Sequence, residues 1–195
     1  MLSHKQSWGV IIATAAIDPI WWLFIVWIPT DLVDVYNMDV MGLAIYGWVP
    51  YVGAMIGAWF GGLLAQNRLK AGWTVNKTRK LVITLGCLIM LPSLLMQADP
   101  GRPVSAVLIM ATILFGFQTS IGNVQTRPSD FLGEKSVGSL AGYAGMAAKL
   151  AAGALIYSVP WFTADDNYTV VFVIVPVWLC LLWPASGYFA QKLND

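Results

Sequence analysis

Long unbroken apolar runs constrain this chain more than anything else in its sequence. A helix needs about 20 mostly apolar residues to cross the hydrocarbon core of a bilayer. The chain has six stretches at or near that length, at about 8–30, 41–66, 81–97, 104–126, 136–162 and 169–191. The third, LVITLGCLIMLPSLLMQ, is the shortest. All six are too continuously apolar for barrel strands, which alternate between polar and apolar faces. Only 11% of the residues are charged and 58% are hydrophobic, against roughly 25% charged in a soluble domain. So little polar material would not cover a water-facing surface, and lipid is the solvent that suits the chain. The expected fold is all-α and integral to a membrane, a single domain of six transmembrane helices.

The connectors sort by charge. Arg68, Lys70, Lys77, Arg79 and Lys80 follow the second run, Arg127 and Lys135 follow the fourth, and Lys5 and Lys192 flank the ends. With six spans, all nine fall on one side. The opposite connectors hold Asp31, Asp34, Asp39, Asp99, Asp165 and Asp166, with Arg102 as their one cation. The positive-inside rule then places both termini in the cytoplasm. One span more or fewer would scramble the separation. The start, MLSHKQS, leads into a long apolar run without a cleavage signature, so no cleavable signal peptide is expected.

Several chemistries are poorly supported. The one histidine, His4, stands beside the start, and Cys87 and Cys180 sit singly in apolar runs, where cysteine behaves as a small hydrophobe. No metal site, cofactor or nucleic-acid partner is expected. P-loop, dinucleotide and EF-hand signatures are absent, and no cluster of catalytic side chains suggests a membrane enzyme.

Within the spans, Gly53, Gly57 and Gly61 recur every four residues, and Gly138, Gly142, Gly145, Ala148 and Ala152 line the fifth run. Small residues let membrane helices approach closely, whether in a mobile bundle or a static one. Pro19, Pro29, Pro50, Pro92, Pro176 and Pro184 interrupt the runs, and each removes a backbone hydrogen bond. Two ionisable residues lie inside spans, Lys149 in GMAAKLAAG and Asp18 beside Pro19. A charge in hydrocarbon is costly and normally faces a cavity or a partner. For Lys149 the two readings are a water-filled, anion-facing site and a pairing with Asp18. For Asp18 they are a coupling role and a cap at a helix break made by Pro19. The fourth run carries Gln118, Thr119, Ser120, Asn123, Gln125 and Thr126. Gln118, Thr119 and Ser120 are not all on one face, so some must bridge helices, while amides can hydrogen-bond a hydroxylated or carboxylated ligand. Trp21, Trp22, Trp27, Trp48, Tyr46 and Tyr51 could stack on a sugar or form an interfacial belt.

These residues carry a resemblance. IDPIWWLFIVWIPTDL resembles the seventh helix of the anion:cation symporter branch of the major facilitator superfamily, whose sugar-acid carriers show D-P-x-W-W-x-F-x-x-W-x-P there. The positions here are Asp18, Pro19, Trp21, Trp22, Phe24, Trp27 and Pro29. GGLLAQNRLKAGWTVNKTRK is similar to that family's glycine pair and basic cytoplasmic loop, ending in Arg79 and Lys80. QTSIGNVQTRPSDFLGEKSVGSLAGYAGMAAKLAAG resembles its Q-x-x-x-x-N-x-x-T-x-P-S-D…VGS-x-x-G-x-x-G-M-A tract, through Gln118, Asn123, Thr126, Pro128, Ser129, Asp130 and the glycines that follow. The resemblance covers nearly the whole chain.

It implies the second half of a twelve-helix transporter, helices seven to twelve, built from two inverted three-helix repeats. The family's coupling acids and substrate-binding arginine belong to its first half, so no residue here inherits those roles. Lys149 stands where the pattern has a small residue or an asparagine that binds substrate in galactonate-type members. Ser120 stands where hexuronate members tend to carry tryptophan, which leaves the sugar acid open. The function implied is secondary transport of an organic anion, such as a hexuronate or aldonate, coupled to H+ or Na+ in a bacterial inner membrane. Alternating access would involve a second six-helix half, either a separate chain or a second copy. The expected substrate contacts are Lys149, Asn123, Gln118, Trp27 and Ser120. Asp18 and Pro19 are expected at a coupling point or helix break, and Arg68, Lys70, Arg79 and Lys80 on the basic loop. A non-transporting product, truncated or regulatory, is the competing reading.

Overall fold

In the computed structural model, the described residues are 5–34, 36–97, 102–131 and 134–162. They form seven helices: α1 (Lys5–Asp34), α2 (Val40–Tyr46), α3 (Val49–Lys70), α4 (Val75–Gln97), α5 (Pro103–Gln125), α6 (Arg127–Phe131) and α7 (Glu134–Phe162). The sixth expected span, about 169–191, lies outside the described residues. Among the described residues, four stretches are long and apolar enough to cross a membrane: Gln6–Val26, Val40–Lys70, Pro103–Asp130 and Ser136–Trp161.

The second expected span divides into α2 and α3. Pro50, at the start of α3, has no N–H to offer the Tyr46 carbonyl, and the chain turns through Gly47 and Trp48 before regular bonding resumes. Pro19 has no such effect. It sits inside α1, which continues unbroken to Asp34. The helix break considered for Asp18 and Pro19 is therefore not found.

The basic segment expected as a loop is mostly helical. Arg68 and Lys70 form the last turn of α3, and Arg79 and Lys80 lie in α4. The link between them is short because α3 ends in a tight glycine stop. Gly72, at φ +80°, donates to Leu69 O, and Trp73 N–H reaches back to Arg68 O. The Arg68 guanidinium and the Lys77 ammonium then both stand over the Trp73 ring, at 5.0 and 4.2 Å from its centroid.

Helix α5 stands at the centre, packed on α1, α3, α4 and α6. Its seam with α3 is made of backbone. Gly53, Gly57 and Gly61 meet Ala111, Phe115 and Thr119, both rows advancing by four residues, so the two helices run parallel. Thr119 Oγ1 crosses this seam to donate to Gly57 O at 3.1 Å. On the other side, Gly86 of α4 faces Gly116 and Ser120 of α5. Helices α1 and α7 form a second parallel pair, with Val10 and Ile11 against Leu140 and Ala144. The buried core joins α1, α4 and α5 through Ile20, Leu23, Phe24, Ile83, Met90, Ile113 and Leu114. Outward faces of α3 and α7 expose Met55, Ile56, Trp59, Leu63, Met146 and Leu150. Contiguous faces of that kind suit lipid or another helix better than water.

The glycine seam makes a direct prediction. A Cβ on Gly57 would run into the Phe115 carbonyl, whereas one on Gly62 would meet nothing within 4 Å. Gly57→Leu should lose most folded protein in fluorescence-detected size exclusion, and Gly62→Ala should elute like the parent.

Candidate functional site

A cavity of about 650 Å³ opens between α1, α3, α4 and α5. Along α5 its wall runs from Phe117 to Thr126, which is roughly 14 Å at 1.5 Å per residue. Asp18 and Trp21 of α1 and Phe117 of α5 mark one end. Arg79, Gln125 and Thr126 mark the end that carries the basic residues. Ala58, Gly62 and Ala65 of α3 keep one wall low, and Gln118 and Asn123 supply amides. Such a cavity offers hydrogen-bond donors and acceptors, an aromatic surface and one charge of each sign.

The aromatic end is preorganised. Trp21 stacks on Phe117 with ring centroids 5.6 Å apart and planes at 19°, and it meets Tyr51 edge-on at 6.2 Å. Phe117 was not among the expected site residues. The available signal was its place beside Gln118 on the same polar helix.

At the basic end, Arg79 forms an ion pair with Asp130 of α6. Nε donates to Oδ2 at 3.2 Å and Nη2 to Oδ1 at 3.5 Å, while Nη1 donates to Asn123 Oδ1 at 2.9 Å. Asn123 in turn donates from Nδ2 to Thr119 O. Its amide thus orients Arg79 from inside the wall rather than standing free. Arg79 is a cavity residue, not simply part of a basic loop. The sequence places it on a connector, and only the packing of α4 on α5 turns it inward.

Near the other end, Lys149 Nζ donates to Asp18 Oδ2 at 2.8 Å and stands 4.5 Å from the centroid of the Trp22 ring. Trp22 Nε1 donates to the same oxygen at 3.2 Å. Of the two readings for Lys149, the structure contains the pairing with Asp18. The Lys149 side chain as a whole is still 56% exposed, against 12% for Asp18. Lys149 stands beside Asp18 rather than in the cavity wall.

The remaining expected contacts divide. Gln118 lines the cavity. Ser120 does not. Two residues along a helix is about 200° of turn, which points Ser120 at α4. There its Oγ lies 3.2 Å from Ile83 O and 3.1 Å from Gly116 O, fully buried. Trp27 belongs to α1, and its side chain lies outside the described residues. Arg68, Lys70 and Lys80 are not part of the cavity lining.

The sequence profile of the Major Facilitator Superfamily matches residues 1–156. The chain belongs to this superfamily. It is 29% identical over 158 residues to the hexuronate transporter of Escherichia coli, covering 77% of this chain and 35% of that protein. It is 33% identical over 94 residues to the galacturonate transporter of Dickeya chrysanthemi, covering 47% and 27%. A probable galactarate/D-glucarate transporter of Escherichia coli is 27% identical over 116 residues, covering 60% and 26%. The chain thus spans about a third or less of the length of these relatives. The family and its apolar helices make this a membrane protein.

The ion pair at the basic end should matter for stability. Asp130→Asn leaves the Arg79 guanidinium, whose side chain is only 17% exposed, without its counter-charge. The expected cost is about 1–3 kcal/mol, read as a lower melting temperature of the detergent-solubilised protein. Lys80→Gln, outside the cavity lining, should leave the melt unchanged.

Proposed function

We propose that this chain is half of a secondary transporter for a sugar acid, a hexuronate or aldonate, moving it by alternating access with H+ or Na+. The observation that carries the proposal is the makeup of the cavity. The Trp21–Phe117 pair suits the apolar face of a pyranose, the Gln118 and Gln125 amides suit its hydroxyls, and Arg79 suits a carboxylate, with Lys149 beside Asp18 at the cavity's other end. Membership of the superfamily and the printed functions of the relatives support the same substrate class.

The six apolar runs form one domain in this reading, with the basic end of the bundle in the cytoplasm of a bacterial inner membrane. A second six-helix half completes the cavity wall, as part of a longer polypeptide, a separate chain or a second copy. Alternating access then rocks one half against the other around a site near the bilayer midplane. Lys149 and Gln118 meet the substrate, and Asn123 acts by holding Arg79.

Two measurements test this. In cells expressing the complete transporter that contains this chain, labelled galacturonate or glucuronate should accumulate, and Lys149→Ala should abolish that uptake. Unchanged uptake in the variant would remove Lys149 from the site. For orientation, Cys87 and Cys180 are first replaced by serine. A cysteine at Asn37 should then react with an impermeant maleimide on intact cells, and one at Ala71 only after the membrane is opened.

A further inference from the structure

Helix α4 has two faces at its basic end. Arg79 turns into the cavity wall. Lys77, two residues away and so about 200° round the helix, is exposed on the opposite side. Its ammonium stands 4.2 Å from the centroid of the Trp73 ring, and the Arg68 guanidinium of α3 stands 5.0 Å from the same centroid. The two cations are therefore no farther apart than those distances together. We propose that Arg68, Trp73 and Lys77 hold the headgroup phosphate of an anionic phospholipid, with an acyl chain lying along Leu81 and Leu88 of α4.

Like charges gathered at one ring call for an anion. Residues 67–80 carry five cations and no acid. Arg79 has Asp130, but among the described residues no carboxylate pairs with Arg68 or Lys77. The face of the Trp73 ring attracts each cation yet carries no net charge. A phosphodiester supplies that charge, and its two unesterified oxygens can accept from a guanidinium and an ammonium together. The turn holds the ring ready for this. Gly72, at φ +80°, donates to Leu69 O, and Trp73 N–H donates to Arg68 O at 3.1 Å, which fixes Trp73 beside the end of α3.

The rest of that helix face points to a lipid rather than a free anion. Lys77, Leu81 and Leu88 follow at steps of four and seven, the spacing of one face of a helix. Lys77 and Leu88 are exposed and Leu81 is half-buried, whereas Val82, Ile83, Cys87 and Met90 are buried. From Lys77 to Leu88 is about 16 Å at 1.5 Å per residue, close to half of a hydrocarbon core of about 30 Å. An acyl chain of one leaflet fits that row, and its headgroup then lies level with the cations. Tryptophan suits this depth, because its ring is apolar and its N–H polar. The row also faces away from the cavity, so completing the cavity wall does not cover it.

The site lies outside the cavity and stands or falls without the sugar-acid reading. The complete transporter containing this chain is purified in detergent and titrated with phosphatidylglycerol or phosphatidylcholine. Bound lipid is counted by native mass spectrometry, and stability is read as the melting temperature. Phosphatidylcholine carries the same phosphate beside a quaternary ammonium that two cations repel. Phosphatidylglycerol should therefore bind more tightly and raise the melting temperature further. Arg68→Gln with Lys77→Gln should weaken phosphatidylglycerol binding about thirtyfold, the loss expected for two cations near the membrane surface. Removing two charges elsewhere, by Lys5→Gln with Arg102→Gln, should leave it within about threefold. Leu88→Gln should weaken the lipid but not glycerophosphoglycerol, the same headgroup without its chains, which binds the parent far more weakly.

Phosphatidylglycerol bound as tightly after Arg68→Gln with Lys77→Gln as before would overturn the proposal. So would an equal loss after Lys5→Gln with Arg102→Gln, since that is the behaviour of a diffuse charge effect. Equal affinity for glycerophosphoglycerol would do the same, because the site would then take an anion without a lipid. If the variant lacking both cations does not fold, the parent decides, because binding without preference for phosphatidylglycerol over phosphatidylcholine is incompatible with the site. None of these outcomes bears on sugar-acid transport.

Discussion

Two glycine seams hold the described bundle together, and the cavity exists because of them. Lipid gives apolar helices no reason to associate, so affinity has to come from close backbone approach and from polar groups crossing between helices. Gly53, Gly57 and Gly61 supply the approach on the α3 side of α5, and Gly86 and Gly116 on the α4 side. The hydroxyls of Thr119 and Ser120 cross the two seams in opposite directions. With α5 gripped on both flanks, its remaining face is left for Gln118, Gly122 and Gln125, and that face becomes cavity wall.

Polar residues in the described spans are therefore used in two ways. Thr119, Ser120 and Asn123 are enclosed and satisfied by other helices or by their own backbone. Gln118 and Gln125 stand on the open side. In hydrocarbon an unsatisfied polar group is expensive, so the first set belongs to the cost of keeping the bundle assembled. The second set is tolerable only where water or a polar ligand reaches it.

Charge follows the same logic on a larger scale. Arg79, Asp130 and Arg127 gather at the basic end, where α4, α5 and α6 meet, while Lys149 and Asp18 pair well inside the membrane-length helices. Each pair ties together helices remote in sequence, 51 and 131 positions apart. Such contacts stabilise one arrangement of a bundle and must be exchanged if the bundle is to adopt another.

The sequence alone determined the solvent, the helical class and the superfamily resemblance. These follow from run length, composition and local motifs, all readable along one strand of text. It also showed that Gln118, Thr119 and Ser120 could not all share a face, because 100° per residue fixes relative directions on a helix. It did not say which direction was cavity and which was neighbour. That depended on where α4 and α3 pack, and the packing put Ser120 against Ile83 O and left Gln118 open. The interruption of the second span, the unbroken passage of α1 through Pro19 and the inward turn of Arg79 were likewise decided in three dimensions. So was the partner of Lys149. An isolated charge inside a span demands compensation, and its position in the sequence says so. Only the parallel packing of α7 on α1 brought Asp18 to within 2.8 Å and made it the anion that answers.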